Sequence, residues 1–578
     1  MSEGNDFRIR PGRIRSTRVQ RTRPIINQVL AATRRAGGHV TRQGTIARSR
    51  QSHFGRGKLA SVIAMRGVSS HSRRVIIKAR VVRTRRVGGA LAAHVKYLQR
   101  DEVTRDGEKG HLFGASEDNI DRDMFADRCS DDRHHFRFIV SPEDAADMAG
   151  LKDFTRELMA QMQKDLGTEL DWVAVDHWNT GQPHIHILVR GVAGDGHDLV
   201  IARDYIGDGL RARARELVTQ ELGLRTEYDI ARSHERQIDA EHWTDLDRKL
   251  GQELEQHGII DMAAPVDRQP GILQTQKMGR LRKLEHLGFA AEIGNGQWVL
   301  QDDAETRLRA MGNRADIIKR MHQALGARGI ERTEYDYQVE AHLGNDKVIG
   351  RLVDRGLHDE LSGGAYAIID GIDGRTHHVV LPDLDATGDS TPGSIVELRQ
   401  FKDRKGRQRL ALAVRSDMDI AAQISAPGAT WLDRRNLSSD RDDLGGGFGR
   451  EVKDALDARA EHLVEQGMAR RQGQRVIFVA SLLDTLEQSD MARQASKLAQ
   501  ELGMPHHETK AGEFVSGKVR EKLTLGSGRY AMIDDGLGFS LVPWTPSLDR
   551  QLGKHISGIM RDDGGVDWSL GRKRDLGL

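Results

Sequence analysis

The stretch Asp176-His177-Trp178-Asn179-Thr180-Gly181-Gln182-Pro183-His184-Ile185-His186-Ile187-Leu188-Val189-Arg190 decides the reading of this chain. Side chains two apart on a strand share a face, so His184 and His186 point one way while Ile185, Ile187 and Val189 point the other. Asn, Gly and Pro between His177 and His184 form a turn that returns the chain alongside the preceding strand, bringing His177 beside the pair. Three imidazoles on one polar face of a hairpin make a metal site with coordination positions left open, as in a catalytic rather than a structural centre. Imidazole ligands by themselves suit Zn, Mn or Ni. A lone strand histidine is usually a surface or core residue, and 24 histidines allow accidental pairs. A His-x-His with a third histidine at the mouth of the turn is much harder to reach by accident.

Upstream, Phe136, Phe138 and Val140 alternate with Arg137 and Ile139, the period of a strand. Ser141-Pro142-Glu143-Asp144 then has the order of a helix start: cap, proline, acids. Met148, Leu151, Thr155, Leu158 and Met162 space out a helix that ends near Gly167. Further strands are predicted over residues 75–82 and 172–177, and helices over 90–99 and 202–224. Residues 231–265 are polar and read as a linker.

Charge is distributed very unevenly. Of the 88 basic and 85 acidic residues, 24 and only two (Glu3 and Asp6) fall in residues 1–100, so a net charge of +3 conceals a strongly basic N-terminal segment. Residues 1–73, rich in Arg, Ser, Thr and Gly, read as a largely disordered arm built for a polyanion. Nucleic acid is favoured over membrane phospholipid because the arm has no amphipathic apolar face. It is favoured over an organellar transit peptide because basic residues continue through Arg83, Arg85 and Arg86 into folded sequence. The single cysteine, Cys129, excludes an internal disulfide framework and a Cys-based zinc site. No apolar run approaches the roughly 20 residues of a membrane-spanning helix, so a soluble intracellular protein without membrane insertion is expected. The absence of a Gly-x-x-x-x-Gly-Lys-Ser/Thr loop speaks against a nucleotide cofactor and a fused helicase. With aromatics at 5%, an extended base-stacking platform is not expected.

The C-terminal half contains an internal repeat. Leu281-Arg-Lys-Leu-Glu-His-Leu-Gly-Phe-Ala, ending at Gln297-Trp298-Val299-Leu300, has a counterpart near residues 458–479, and Gly350-Arg-Leu-Val-Asp with Tyr366-Ala-Ile-Ile-Asp is echoed by Gly517-Lys-Val-Arg-Glu with Tyr530-Ala-Met-Ile-Asp. In each copy an amphipathic helix stops at a glycine, Gly288 or Gly467, and an extended pair follows. Helix then hairpin is the order of a winged helix, which makes Arg280, Arg282 and Lys283 of the first copy candidate duplex contacts. Glu461 and Glu465 make the second copy a poorer DNA reader.

The spacing His177-x-Asn179-x-x-x-Pro183-His184-x-His186 resembles the three-histidine motif of HUH endonucleases, specifically the conjugative relaxases or mobilisation nucleases. That family usually has Asp where this chain has Asn179. His94-Val95-Lys96-Tyr97-Leu98-Gln99-Arg100-Asp101 is similar to the first relaxase motif. The resemblance implies Tyr97, the only one of seven tyrosines upstream of the histidines, as nucleophile, with Lys96 and Arg100 beside the phosphate. The run from His134 to Pro142 is similar to the second motif, a strand ending in Ser, and implies Ser141 as a phosphate contact; His134 and His135 receive no role. The resemblance covers roughly residues 75–230. The remainder more loosely resembles an extension found on some relaxases of Gram-negative bacteria.

Taken together, these readings predict an α+β protein. A basic arm (1–73) precedes an HUH-type antiparallel sheet flanked by helices (74–230), a linker (231–265) and two winged-helix-like plus small β modules (266–450 and 451–578). The resemblance implies a bacterial cytoplasmic enzyme that nicks one strand at a transfer origin through a 5′-phosphotyrosine, assisted by Mg or Mn. It implies single-stranded and duplex DNA, a coupling protein, a type IV secretion machine and accessory origin-binding proteins as partners. Rolling-circle initiators and HUH transposases are the alternative within nucleases, although they often place the nucleophile after the histidines. A non-catalytic DNA-binding regulator is the alternative outside them.

Overall fold

The computed structural model describes residues 38–40, 46–48, 56–83, 90–100, 103–178, 182–263, 271–339, 347–359, 361–402, 406–438, 444–561 and 564–569. They divide into two units, residues 1–235 and 236–578.

In the first unit, β1 (Gly38–Val40) and β2 (Ile46–Arg48) pair with each other. They are followed by α1 (Lys58–Arg66), β3 (Val75–Arg83), α2 (Ala90–Leu98), α3 (Arg122–Arg128), β4 (His134–Pro142), α4 (Leu151–Leu166), β5 (Leu170–His177), β6 (His184–Ala193), α5 (Leu210–Leu222) and α6 (Glu227–Ile238), whose last three residues fall in the second unit. Strands β3 to β6 form an antiparallel sheet in the order β3-β4-β6-β5. Alternation decides the two faces. Phe138, Trp172, Ile185, Ile187 and Val189 pack on α4 and α5 through Leu158, Met162, Leu210 and Val218. On the other face Val173, Val175 and Leu188 meet Val95 and Leu98 of α2 and Phe125 of α3.

Two expectations need correction here. The expected arm runs to residue 73, yet residues 56–73 belong to the folded unit. Ser61 Oγ donates to the Asp204 carbonyl at 3.0 Å, Arg56 reaches the Leu166 carbonyl at 3.2 Å, and Arg73 pairs with Asp144 at 3.1 Å. The remainder of the arm, apart from β1 and β2, lies outside the described residues. Nor does Ser141 cap a helix. Ser141 and Pro142 continue β4 opposite Ile76 and Val75, and the Glu143 N–H bonds to the Arg74 carbonyl at 2.9 Å. Helix α4 starts only at Leu151, after Gly150. The strand ladder has overridden the local capping signal.

The second unit begins with α7 (Asp245–His257), β7 (Ile260–Asp261), α8 (Ile272–His286), β8 (Ala290–Gly294), β9 (Gln297–Leu300) and α9 (Ala304–Gly326). Next come β10 (Tyr337–Val339), β11 (Ile349–Asp359), β12 (Gly364–Gly371), β13 (Thr376–Leu381), β14 (Ile395–Lys402) and β15 (Gln408–Ser416). A second series follows: α10 (Ile420–Ile424), α11 (Trp431–Leu437), α12 (Phe448–Glu465), β16 (Ala469–Gln472), β17 (Arg475–Phe478), α13 (Leu482–Leu502), β18 (Phe514–Leu525), β19 (Gly528–Asp534), β20 (Phe539–Pro543), β21 (His555–Met560) and β22 (Val566–Trp568).

The two series share one internal geometry. Thr244 caps α7 reciprocally with Asp247, as Thr430 caps α11 with Asp433. Arg280 of α8 donates to Asp247 and to the carbonyls of Ile238, Ala240 and His242. Arg459 of α12 donates to Asp433 and to those of Ile424, Ala426 and Gly428, which stand at the same offsets from their threonine. Helices α8 and α12 both end at a left-handed glycine, Gly288 (φ 76°) and Gly467 (φ 71°), as an αL cap requires. The sheets agree as well: β13-β12-β11-β14-β15, with β10 added at one edge, against β20-β19-β18-β21-β22. Strands β11 and β18 each carry a glycine near their start, Gly350 or Gly517, where a Cβ would run into the carbonyl of Asp370 or Asp534.

Domain boundaries shift accordingly. Of the stretch expected as a linker, the described residues 231–263 hold the end of α6, α7 and β7, and the repeated geometry reaches back to Ile238 and Ile424, upstream of the expected starts at 266 and 451. Arg280 is not a duplex contact. It is fully buried and ion-paired with Asp247 at 2.8 Å, so no phosphate reaches it. Arg282 is exposed, and Lys283 pairs with Glu241 at 3.2 Å.

Candidate active site

The register brings the three histidines together. His177 stands opposite His184 across β5 and β6, and His186 lies two residues further along β6 on the same face. Their ring centroids are 4.5 to 5.4 Å apart, and Nε2 of His184 is 3.1 Å from Nε2 of His186. One ligand atom from each lies within 4.8 Å of the others. Cation–nitrogen bonds of about 2.1 Å put two imidazole nitrogens roughly 3.0–3.4 Å apart, so the pair is already at ligand spacing.

The outer nitrogens are held as metal-ligating imidazoles require. His177 Nε2–H donates to the Leu98 carbonyl at 2.8 Å, and His184 Nδ1–H to the Gln182 carbonyl at 3.0 Å. His177 is fully buried, and its Nδ1 has no hydrogen-bond partner among the described residues. Burial, with the charges of His186 and Arg100, brings its pKa down to about 2, so the ring stays neutral and keeps its lone pair. An orphaned buried nitrogen, a close imidazole pair and backbone-fixed tautomers fit a divalent cation.

Helix α2 packs over this same face. Tyr97, half-buried, precedes the residue whose carbonyl holds His177, and the Arg100 guanidinium lies 4.6 Å from the centre of its ring. Lys96 is exposed. Tyr205, by contrast, is fully buried in the opposite core, bonds to Asp165 at 2.9 Å, and has its phenol pushed far up by burial. Ser141 sits beside the histidines, but its hydroxyl donates to the Pro183 carbonyl at 3.3 Å and supports the turn before His184. Asp176 points away, accepting from the Trp178 indole at 2.7 Å, while Asn179 lies outside the described residues. His134 bonds to the Leu199 carbonyl at 3.0 Å, a structural role. The link between His177 and Leu98 is invisible in the sequence, because no local signal couples residues so far apart in the chain.

Residues 106–223, which include the three histidines, match the model of the MobA/VirD2-like relaxase nuclease domain. Residues 277–408 and 398–577, together more than half of the chain, match that of a protein family of unknown function, DUF3363. The chain belongs to the DUF3363 family and carries a relaxase nuclease domain. No curated protein and no solved structure gives a significant match. The relaxase domain implies a DNA-nicking enzyme, and the histidine cluster could hold its divalent metal. Tyr97 lies just before the matched segment of the relaxase. Among the described residues no helix is long and apolar enough to cross a membrane.

Proposed function

We propose that this protein nicks one DNA strand at a transfer origin, using Tyr97 as nucleophile and an HUH-type centre of His177, His184 and His186. The observation that carries the reading is the junction of α2 with the histidine face at Leu98 and His177. Tyr97 Oη attacks the scissile phosphorus, the P–O3′ bond breaks, and the 3′ oxygen leaves as a hydroxyl. The 5′ phosphate stays on Tyr97 as an ester, so the strand can later be resealed without a nucleotide triphosphate. A divalent cation, Mg or Mn in this reading, supplies Lewis-acid polarisation of the phosphate. Arg100 and Lys96 place positive charge where the phosphoryl group gathers negative charge. Ser141 orders the turn that presents His184.

In this reading the basic arm grips flanking duplex, and Arg282 with Lys283 of a winged-helix-like first module adds a second contact. The biological setting is mobilisation from a bacterial cytoplasm with a coupling protein, a type IV secretion machine and accessory origin-binding proteins. Incubation with supercoiled plasmid carrying the element's own origin and Mg tests it. Relaxed circles with protein attached to a 5′ end are expected; intact supercoiled DNA would favour a non-catalytic regulator instead.

A further inference from the structure

Strands β4 and β3 extend the histidine face away from β5, and the register shows what they carry there. His186 is level with Ile139 and Ile139 with Lys78; two residues along, Leu188 is level with Arg137 and Arg137 with Arg80. Residues level across a sheet project on one face, so Lys78, Arg80 and Arg137 share the face of the three histidines. Lys78 and Arg80 are exposed, whereas Arg137 is only 7% exposed.

Arg137 is unusual in its partner. Its Nε donates to Nε2 of His135 at 3.1 Å, and among the described residues it has no paired carboxylate. His135, brought down to about 3 by burial and by Arg137, is neutral and offsets none of the charge. Burial and the nearby Arg80 bring Arg137 itself down to about 10, so it remains a cation at neutral pH. The buried arginines of the second unit, Arg280 and Arg459, are each neutralised by an aspartate. Among the described residues this buried guanidinium is held by a neutral ring and has no carboxylate as counter-ion, and an anion arriving on that face supplies one.

We propose that Arg137, with Arg80 and Lys78 at its rim, is a phosphate site for the DNA strand being cut. The inference rests on the relaxase reading and adds where the strand runs: across the sheet from β6 over β4 to β3. Strand spacing and rise put the Arg137 Cα on the order of 8 Å from that of His186, which suits a neighbouring phosphate rather than the scissile one.

The test measures binding of the full chain to a mixed-sequence single-stranded oligonucleotide by fluorescence anisotropy over a range of salt. For every phosphate that a variant no longer neutralises, the slope of log K against log salt should fall by about 0.7. Lys78→Ala with Arg80→Ala alters only exposed side chains and should show this drop, as should Arg137→Gln, while Arg137→Lys should restore much of the slope. Wild-type slopes in both the double variant and Arg137→Gln overturn the site. A chain that shows the slope changes but never forms a covalent adduct defeats the nicking reading and leaves the phosphate site standing. A wild-type chain without affinity for the oligonucleotide overturns both.

Discussion

The Nε2 nitrogen of His177 lies 2.8 Å from the carbonyl oxygen of Leu98, the residue after Tyr97. This bond ties the end of α2 to the end of β5, and it leaves the Nδ1 side of the ring without a partner among the described residues. One hydrogen bond thus orients a proposed metal ligand and anchors the helix that carries the proposed nucleophile.

Tyr97→Phe removes only the attacking oxygen. Covalent DNA attachment should vanish while affinity for DNA stays near the wild-type value. Denaturing gels read the first and anisotropy the second; a detergent-resistant adduct in the variant would assign the nucleophile to another tyrosine.

His184→Ala or His186→Ala should abolish metal-dependent nicking without unfolding the sheet, because the opposite apolar face is untouched. Chelation of the wild type should have the same effect, reversed by adding Mg or Mn. Calorimetric titration with Mn should show binding to the wild type and none to the variants. Undiminished nicking in either variant would remove the metal role of that histidine.

Acid should weaken the first unit through His135. The unfolded imidazole titrates near 6.5, whereas in the fold it is held down at about 3, chiefly by burial. Between those values the unfolded chain carries the extra proton, so stability is full near neutral pH and falls as pH drops. The slope is about 1.4 kcal/mol per pH unit. Denaturation of wild type and His135→Gln from pH 7 to pH 4 checks this: the variant should be the flatter of the two.

Arg280→Met should cost about 3–5 kcal/mol, because Asp247 is left buried without a countercharge. Adding Asp247→Leu should recover part of that loss. Urea unfolding measures both, and a single variant with the wild-type midpoint would show that the pair contributes nothing to stability. Arg459→Met should behave alike through Asp433.

Deleting residues 1–55 removes 12 basic residues and leaves α1 intact. The slope of log K against log salt for duplex DNA should flatten by about 0.9 for each phosphate the arm had neutralised. An unchanged slope would exclude the arm as a DNA contact.

The histidine hairpin was legible in the sequence because strand periodicity and a short turn are local properties. Alternation in β5 and β6 decides which side chains share a face, and the His177–His184 pairing follows from so short a connection. The repeat was legible for a similar reason: Gly288 and Gly467 mark helix ends, and glycine is the residue that accepts their positive φ.

What the sequence by itself determined is therefore the local chemistry: the three histidines on one face, the tyrosine upstream of them, the basic segment and two copies of a helix-hairpin pattern. Tertiary structure alone decided which charges are available to a ligand. Arg280 and Arg282 stand two apart on one basic helix, yet the first is buried against Asp247 and the second faces solvent. Arg137 reads as one polar position in an alternating strand, and only the pairing of β3, β4 and β6 places it with Arg80 beside the histidines. The physical reason is that burial and charge pairing depend on residues far away in the chain, whereas periodicity depends on neighbours only.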